Sequence, residues 1–163
     1  MKNNNKGVTL IEVIIVISIL AILSAGTINT LHRLSYSNTS KAANTISSIM
    51  SKLKMETMSK IQKNYLYLYD ISGSVYLKVS SESVPLAAEL NIATGTKVMK
   101  RGILMYKLYG RNEIELEEGT PICISYERSS GRFDGDYEYI KLSNSSNETV
   151  IYCVKETGRH WID

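Results

Sequence analysis

From Val8 to Ser72 the sequence contains one glycine, Gly26, and no proline. Pro85, Pro121 and eight of the ten glycines lie beyond Ser72. A stretch of roughly sixty residues without a breaker permits a helix far longer than the usual three turns. The first part of this stretch is also strongly apolar. No formal charge occurs from Val13 to Leu31, and the densest part ends near Ala25. Val13-Ile14-Ile15-Val16-Ile17 has strand-like composition, yet a lone segment in lipid must satisfy its own backbone and is therefore helical. A helix over residues 8–28 would rise about 30 Å, enough to cross a bilayer. Lys2 and Lys6 ahead of it favour a cytoplasmic N-terminus, with the rest of the chain outside the cell.

One residue does not fit a simple anchor. Glu12 puts a carboxylate at the mouth of the apolar segment, where an ionised acid costs roughly 2.5 to 3.5 kcal/mol on insertion scales. An anchor alone would be better served by Leu or Ile. Glu12 therefore points to a second environment in which its charge finds a partner. The alternative is an acid that stays solvated at the interface, favoured by about 0.3 to 1 kcal/mol at a helix N-terminus. A secretory signal peptide also has a basic start and an apolar core. It would not place Glu12 between them, and Leu23 spoils a small-residue cleavage site after Ala25. A plain N-terminal anchor remains the other reading.

Past the apolar segment the pattern becomes amphipathic. Ala42, Ala43, Ile46, Ile49, Met50, Leu53 and Ile61 fall largely on one helical face, and Lys41, Asn44, Ser48, Ser51, Lys52 and Lys54 mostly elsewhere. Such a stripe is covered by a downstream domain or by a partner. The remainder reads as short strands: Tyr65–Tyr69, Val75–Val79, Gly102–Tyr109, Glu113–Leu116, Ile122–Tyr126, Tyr137–Leu142 and Val150–Val154. Gly73, Gly110, Gly119, Gly135 and residues 143–147 supply turns. Val84–Ala93 reads as a short helix or a loop. The expected organisation is a leader at 1–7, a membrane-spanning helix at 8–28, its amphipathic continuation at 29–63 and a β-rich head at 64–163. The expected fold class is α+β, with one antiparallel sheet laying its apolar face over the Ala42–Leu53 stripe.

The tract Gly7-Val8-Thr9-Leu10-Ile11-Glu12-Val13 resembles the class III leader and first helix of type IV pilin-like proteins. In that pattern a short basic leader ends in Gly, and Glu is the fifth mature residue. Gly7 and Val8 then flank the cleavage site, and Val8 stands where the family usually has Phe or Met and would be the N-methylated terminus. The resemblance implies cleavage by a prepilin peptidase, which frees the Val8 amine to pair with Glu12 of an adjacent subunit. It implies a membrane subunit that meets lipid first, then an inner-membrane assembly platform, then other pilins in an extracellular filament. It also implies a lollipop shape, with the first half of the helix bare. Ser130-Gly131-Arg132 and Thr157-Gly158-Arg159, set around a hairpin, resemble the minor pseudopilin H and FimT-like group, although Gly-Arg pairs also serve as ordinary turns.

Other constellations are sparse. The chain has 19 Lys and Arg against 16 Asp and Glu, and losing Lys2 and Lys6 brings it close to neutral, so net charge alone predicts no nucleic-acid binding. Lys97, Lys100, Arg101, Lys107 and Arg111 cluster in sequence, and Arg159, His160 and Trp161 put cations beside an aromatic surface. Lys100, Arg101, Arg159 and Trp161 are accordingly candidate DNA contacts; a solvated basic face is the other reading. Cys123 and Cys153 lack metal-ligand spacing. A bridge between them would close a loop of about 30 residues, worth roughly 3 to 4 kcal/mol in the chain-entropy model; two buried free thiols are the alternative, and the resemblance to pilins favours a C-terminal bridge without fixing this spacing. His32 and His160 are the only histidines, and no nucleophile–base set or phosphate loop stands out. Asp134 and Asp136 flank Gly135, and Glu113, Glu115, Glu117 and Glu118 form a charged edge. The expectation is a subunit without catalysis, cofactor or metal, against the alternatives of a DNA-binding subunit for DNA uptake and of a membrane-anchored extracellular enzyme or binding protein.

Overall fold

The computed structural model describes residues 10–59, 63–83, 90–100, 102–144 and 147–163, without the side chains of 22–37. One helix, α1 (Leu10–Ser59), opens this part of the chain. The chain divides into two units, Met1–Leu34 and Ser35–Asp163.

In the first unit, α1 begins with Glu12 in its first turn, where the helix dipole favours an acid. The side chains from Leu10 to Ala21 are all exposed, Leu10 by 80%. Ser18 donates its hydroxyl to the Ile14 carbonyl at 2.7 Å, so even this polar side chain is satisfied within the helix. Among the described residues no helix is long and apolar enough to cross a membrane. The fully described stretch Leu10–Ala21 rises only about 18 Å at 1.5 Å per residue. The expected 8–28 span extends past it on both sides.

Among its described residues the second unit holds the rest of α1 and nine strands. These are β1 (Tyr65–Ile71), β2 (Ser74–Ser80), β3 (Thr96–Lys100), β4 (Ile103–Leu108), β5 (Glu113–Glu115), β6 (Ile122–Ile124), β7 (Tyr137–Asn144), β8 (Asn147–Val154) and β9 (Arg159–Ile162). The fold class is α+β, as expected, but one sheet was expected and two are found. A four-stranded sheet runs β3-β2-β1-β6 and a five-stranded sheet runs β5-β4-β7-β8-β9, antiparallel throughout. β3 and β9 were not anticipated as strands. Residues 90–95 form turns, while 84–89 and Ile61 lie outside the described residues.

The core explains the division into two sheets. On α1, Ala42, Ala43, Ile46, Met50 and Leu53 are buried at helical spacing, with Thr39 and Thr57 continuing the stripe. They share one cluster with Leu66 and Leu68 of β1, Leu104 of β4, Ile140 and Leu142 of β7, and Ile151 and Cys153 of β8. The alternating partners on β1 are tyrosines rather than polar residues. Tyr67 and Tyr69 form a second cluster with Tyr76 on the opposite face of the four-stranded sheet. The segment after β2 covers them: the Tyr67 hydroxyl donates to the Glu82 carbonyl at 2.6 Å and that of Tyr69 to the Asn91 carbonyl at 3.1 Å. The middle of β1 is therefore buried on both faces, which the run Tyr-Leu-Tyr-Leu-Tyr encodes.

The β1–β2 hairpin turns on Ser72 and Gly73, both at positive φ (51° and 70°), as a two-residue turn matched to strand twist demands. The Asp70 carboxylate accepts the Gly73 N–H at 3.0 Å and fixes it.

Candidate functional site

The N-terminal motif is the first candidate. Glu12 sits in the opening turn of α1 between Ile11 and Val13, both exposed. Gly7 and Val8 lie outside the described residues. An exposed apolar face of this size costs roughly 25 cal/mol per Å² in water and requires either lipid or other apolar helices around it.

The expected DNA contacts are not gathered into one surface. Lys97 and Lys100 stand on β3, an edge of the four-stranded sheet, whereas Arg159 and Trp161 stand on β9, an edge of the five-stranded sheet. Arg101 lies outside the described residues. Lys107 pairs with Glu138 at 3.0 Å, and Lys97 lies over the Tyr76 ring at 5.2 Å from its centroid. His160 faces inward: its Nε2 lies 3.0 Å from the Ser47 carbonyl and 3.2 Å from the Ser51 hydroxyl. A carbonyl only accepts, so Nε2 carries the proton. Nδ1 is then an acceptor, and it is buried without a hydrogen-bond partner among the described residues. Burial holds the His160 pKa below its usual value, and the Lys54 ammonium adds to this.

Cys123 and Cys153 are free thiols. Cys123 lies on β6, opposite Tyr67, and packs against the tyrosine cluster; Cys153 lies on β8 in the main core. The two belong to different sheets. Burial pushes the Cys153 thiol up to about 12 and raises that of Cys123 as well, so neither is an activated nucleophile.

Asp134 and Asp136 are engaged by cations of the protein itself, Lys63 and Lys155 respectively. The Lys63 ammonium holds the Asp134 carboxyl below the usual range, helped by the Ser125 hydroxyl at 3.1 Å. Among the described residues no three His, Cys, Asp or Glu side chains gather to hold a metal. A cavity of about 690 Å³ lies beside the end of β1, lined by Tyr69, Ile71, Leu90, Ile92, Pro121 and their neighbours. Its described lining includes Asp70 and Glu118 but neither histidine nor cysteine.

The two Gly-Arg turns have a packing role. Gly158 (φ 58°) sits so close to the other turn that a Cβ there would lie 1.9 Å from the Gly131 carbonyl oxygen. The Lys54 ammonium of α1 donates to the Thr157 carbonyl at 2.7 Å. Helix and both turns are thereby tied together.

Sequence reading missed the outward row of Tyr139, Tyr152 and Trp161 on the five-stranded sheet. The alternation in β7 and β8 carried the signal; Trp161 stood out only as an aromatic beside cations, a candidate DNA contact, and not as part of a strand.

No curated protein and no solved structure matches this chain. Residues 2–28 match the family model of the prokaryotic N-terminal methylation motif, and this match supports a type IV pilin-like precursor whose leader is removed by a prepilin peptidase.

Proposed function

We propose that this chain is a structural subunit of a type IV pilus or a related secretion or competence filament, and that it acts by assembly rather than catalysis. The observation that carries this reading is the N-terminal methylation motif at residues 2–28. Cleavage after Gly7 would free the α-amine of Val8, and methylation would follow there. The helix over 8–28 would hold the precursor in the cytoplasmic membrane and later line the filament core. Glu12 would pair with the Val8 amine of a neighbouring subunit. Before cleavage that nitrogen is an uncharged amide, so processing would switch the pairing on. A mis-docked subunit would leave a carboxylate unpaired in an apolar core, which is strongly unfavourable. Glu12 would thus set register more than it would add stability. The finer assignment, a minor subunit of the pseudopilin H or FimT-like kind, draws on the Gly131-Arg132 and Gly158-Arg159 turns.

N-terminal sequencing of protein from sheared surface filaments tests the proposal. A mature chain beginning at Val8 is expected. A chain beginning at Met1 or near Gly26, or absence from the filament fraction, would overturn it.

A further inference from the structure

The outer face of the five-stranded sheet carries a row of side chains that crosses all five strands. Direct cross-strand neighbours point to one face, and the register gives Glu113 (β5), Lys107 (β4), Tyr139 (β7), Tyr152 (β8) and Trp161 (β9) in succession. Their strand neighbours Leu104, Ile140, Leu142 and Ile151 point the other way, into the core shared with α1. The row is therefore turned away from the helix.

Its aromatic half is continuous. Tyr139 meets Tyr152 edge-on at 6.1 Å between centroids, and Tyr152 stacks with Trp161 at 5.5 Å and 21°. Trp161 is 51% exposed. Met105, Val150 and Val154, two residues along their strands from members of the row, extend the apolar area. A bulge supplies the polar flank. Lys107 is opposite Tyr139 while Leu108 is opposite Tyr137, so Glu138 has no partner in the ladder. Its carboxylate turns to Lys107 at 3.0 Å. Lys141 pairs with Glu113 at 2.6 Å, and the Tyr139 hydroxyl donates to the same carboxylate at 3.2 Å.

This chemistry selects among partners. Lys107 and Lys141 are matched by carboxylates, and Glu115 and Glu148 outnumber the one further cation described on the face, Arg159 opposite Val154, so a phosphate polymer finds little net attraction. A second protein surface would have to desolvate the two ion pairs at a net cost. A sugar ring has an apolar C–H face that stacks on aromatic rings, and a rim of hydroxyls that both donate and accept. It can cover Tyr152 and Trp161 while bonding to the ammonium and the carboxylate of each pair. We propose that this face binds a neutral glycan chain, with Trp161 and Tyr152 as stacking anchors and the Lys107–Glu138 and Lys141–Glu113 pairs as hydroxyl ligands. The inference stands independently of the N-terminal reading.

Trp161 is the only tryptophan, so its fluorescence reports on the site directly. The full chain, in a zwitterionic detergent without a sugar headgroup, is titrated with cellohexaose and chitohexaose. A saturable change with at least one of them is expected, little altered between about 0.05 and 0.5 M salt because the ligand carries no charge. By calorimetry, Trp161→Ala and Tyr152→Ala should each weaken binding about tenfold or more, with an unchanged circular dichroism spectrum. Lys141→Met with a retained fold should weaken it as well. No saturable change with either hexasaccharide overturns the proposal. So does an oligothymidylate that binds in their place, or a Trp161 signal that depends only on protein concentration, which would make a second copy the occupant.

Discussion

Gly158→Ala isolates a contact on which the second unit depends. The residue has φ 58°, where a side chain costs about 1 to 2 kcal/mol. The new Cβ would also lie 1.9 Å from the Gly131 carbonyl oxygen, which is backbone and cannot swing aside. One of the two turns must retreat by roughly 1 Å or more. Three hydrogen bonds converge there: Gly158 N–H to Val154 at 2.9 Å, Phe133 N–H to Lys155 at 3.0 Å, and the Lys54 ammonium to Thr157 at 2.7 Å. Weakening even one or two of them adds about 1 to 3 kcal/mol, for a total near 2 to 5 kcal/mol. Gly73→Ala is the control: it has a similar φ of 70° but nothing within 4 Å of the added Cβ. It should lose only the backbone part, about 1 to 2 kcal/mol. Urea unfolding of the full chain in detergent, followed by Trp161 fluorescence and far-ultraviolet circular dichroism, gives both values. If the two variants unfold within about 0.5 kcal/mol of each other, the reasoning about the paired turns is wrong.

Four further outcomes are expected. The Tyr126 hydroxyl is buried beside Phe133 without a partner among the described residues, so Tyr126→Phe should be neutral or stabilising by about 1 kcal/mol in the same assay; a loss above that value would reveal a hidden partner. His160 is neutral in the folded state and its pKa is lowered. Its contribution is thus complete above the unfolded value near 6.5 and declines as pH falls through that value toward the folded one. His160→Gln should flatten the stability profile between about pH 5 and 7, and an unchanged profile would remove the histidine from the account. Thiol titration of the non-reduced, denatured chain should find two free thiols; none would mean a bridge. Glu12→Leu should still insert and be processed but enter filaments poorly, as quantified by immunoblot of sheared and membrane fractions. Normal incorporation would refute the pairing role.

Much of the fold could be read from local pattern. The helix and its stripe followed from missing breakers and 3.6-residue spacing, and seven strands from β-forming runs between turn residues. What escaped was set by tertiary context. β3 (Thr96–Lys100) has only Val98 and Met99 as apolar members, so its lysines read as a basic cluster rather than as an edge strand. β9 pairs through Arg159, His160, Trp161 and Ile162, a sequence with no strand signature that is held by β8 and by the inward turn of His160 onto α1. The second sheet was missed because the alternating residues of β1 are tyrosines, which can face solvent or core; only the segment after β2 decides. The motif around Glu12 was legible because it is contiguous. The outer aromatic row was not, because its members are brought together by strand register across some twenty residues of sequence.

The ties between α1 and the last strands have a temporal meaning. Ser47 waits for His160, 113 positions later, and Thr39 for Thr149, 110 positions later. Contacts that distant form slowly, since a large loop must close before they return any energy. A polypeptide emerging N-terminus first would hold its greasy stripe uncovered until β8 and β9 arrive. The stripe would need shielding until those two strands pair.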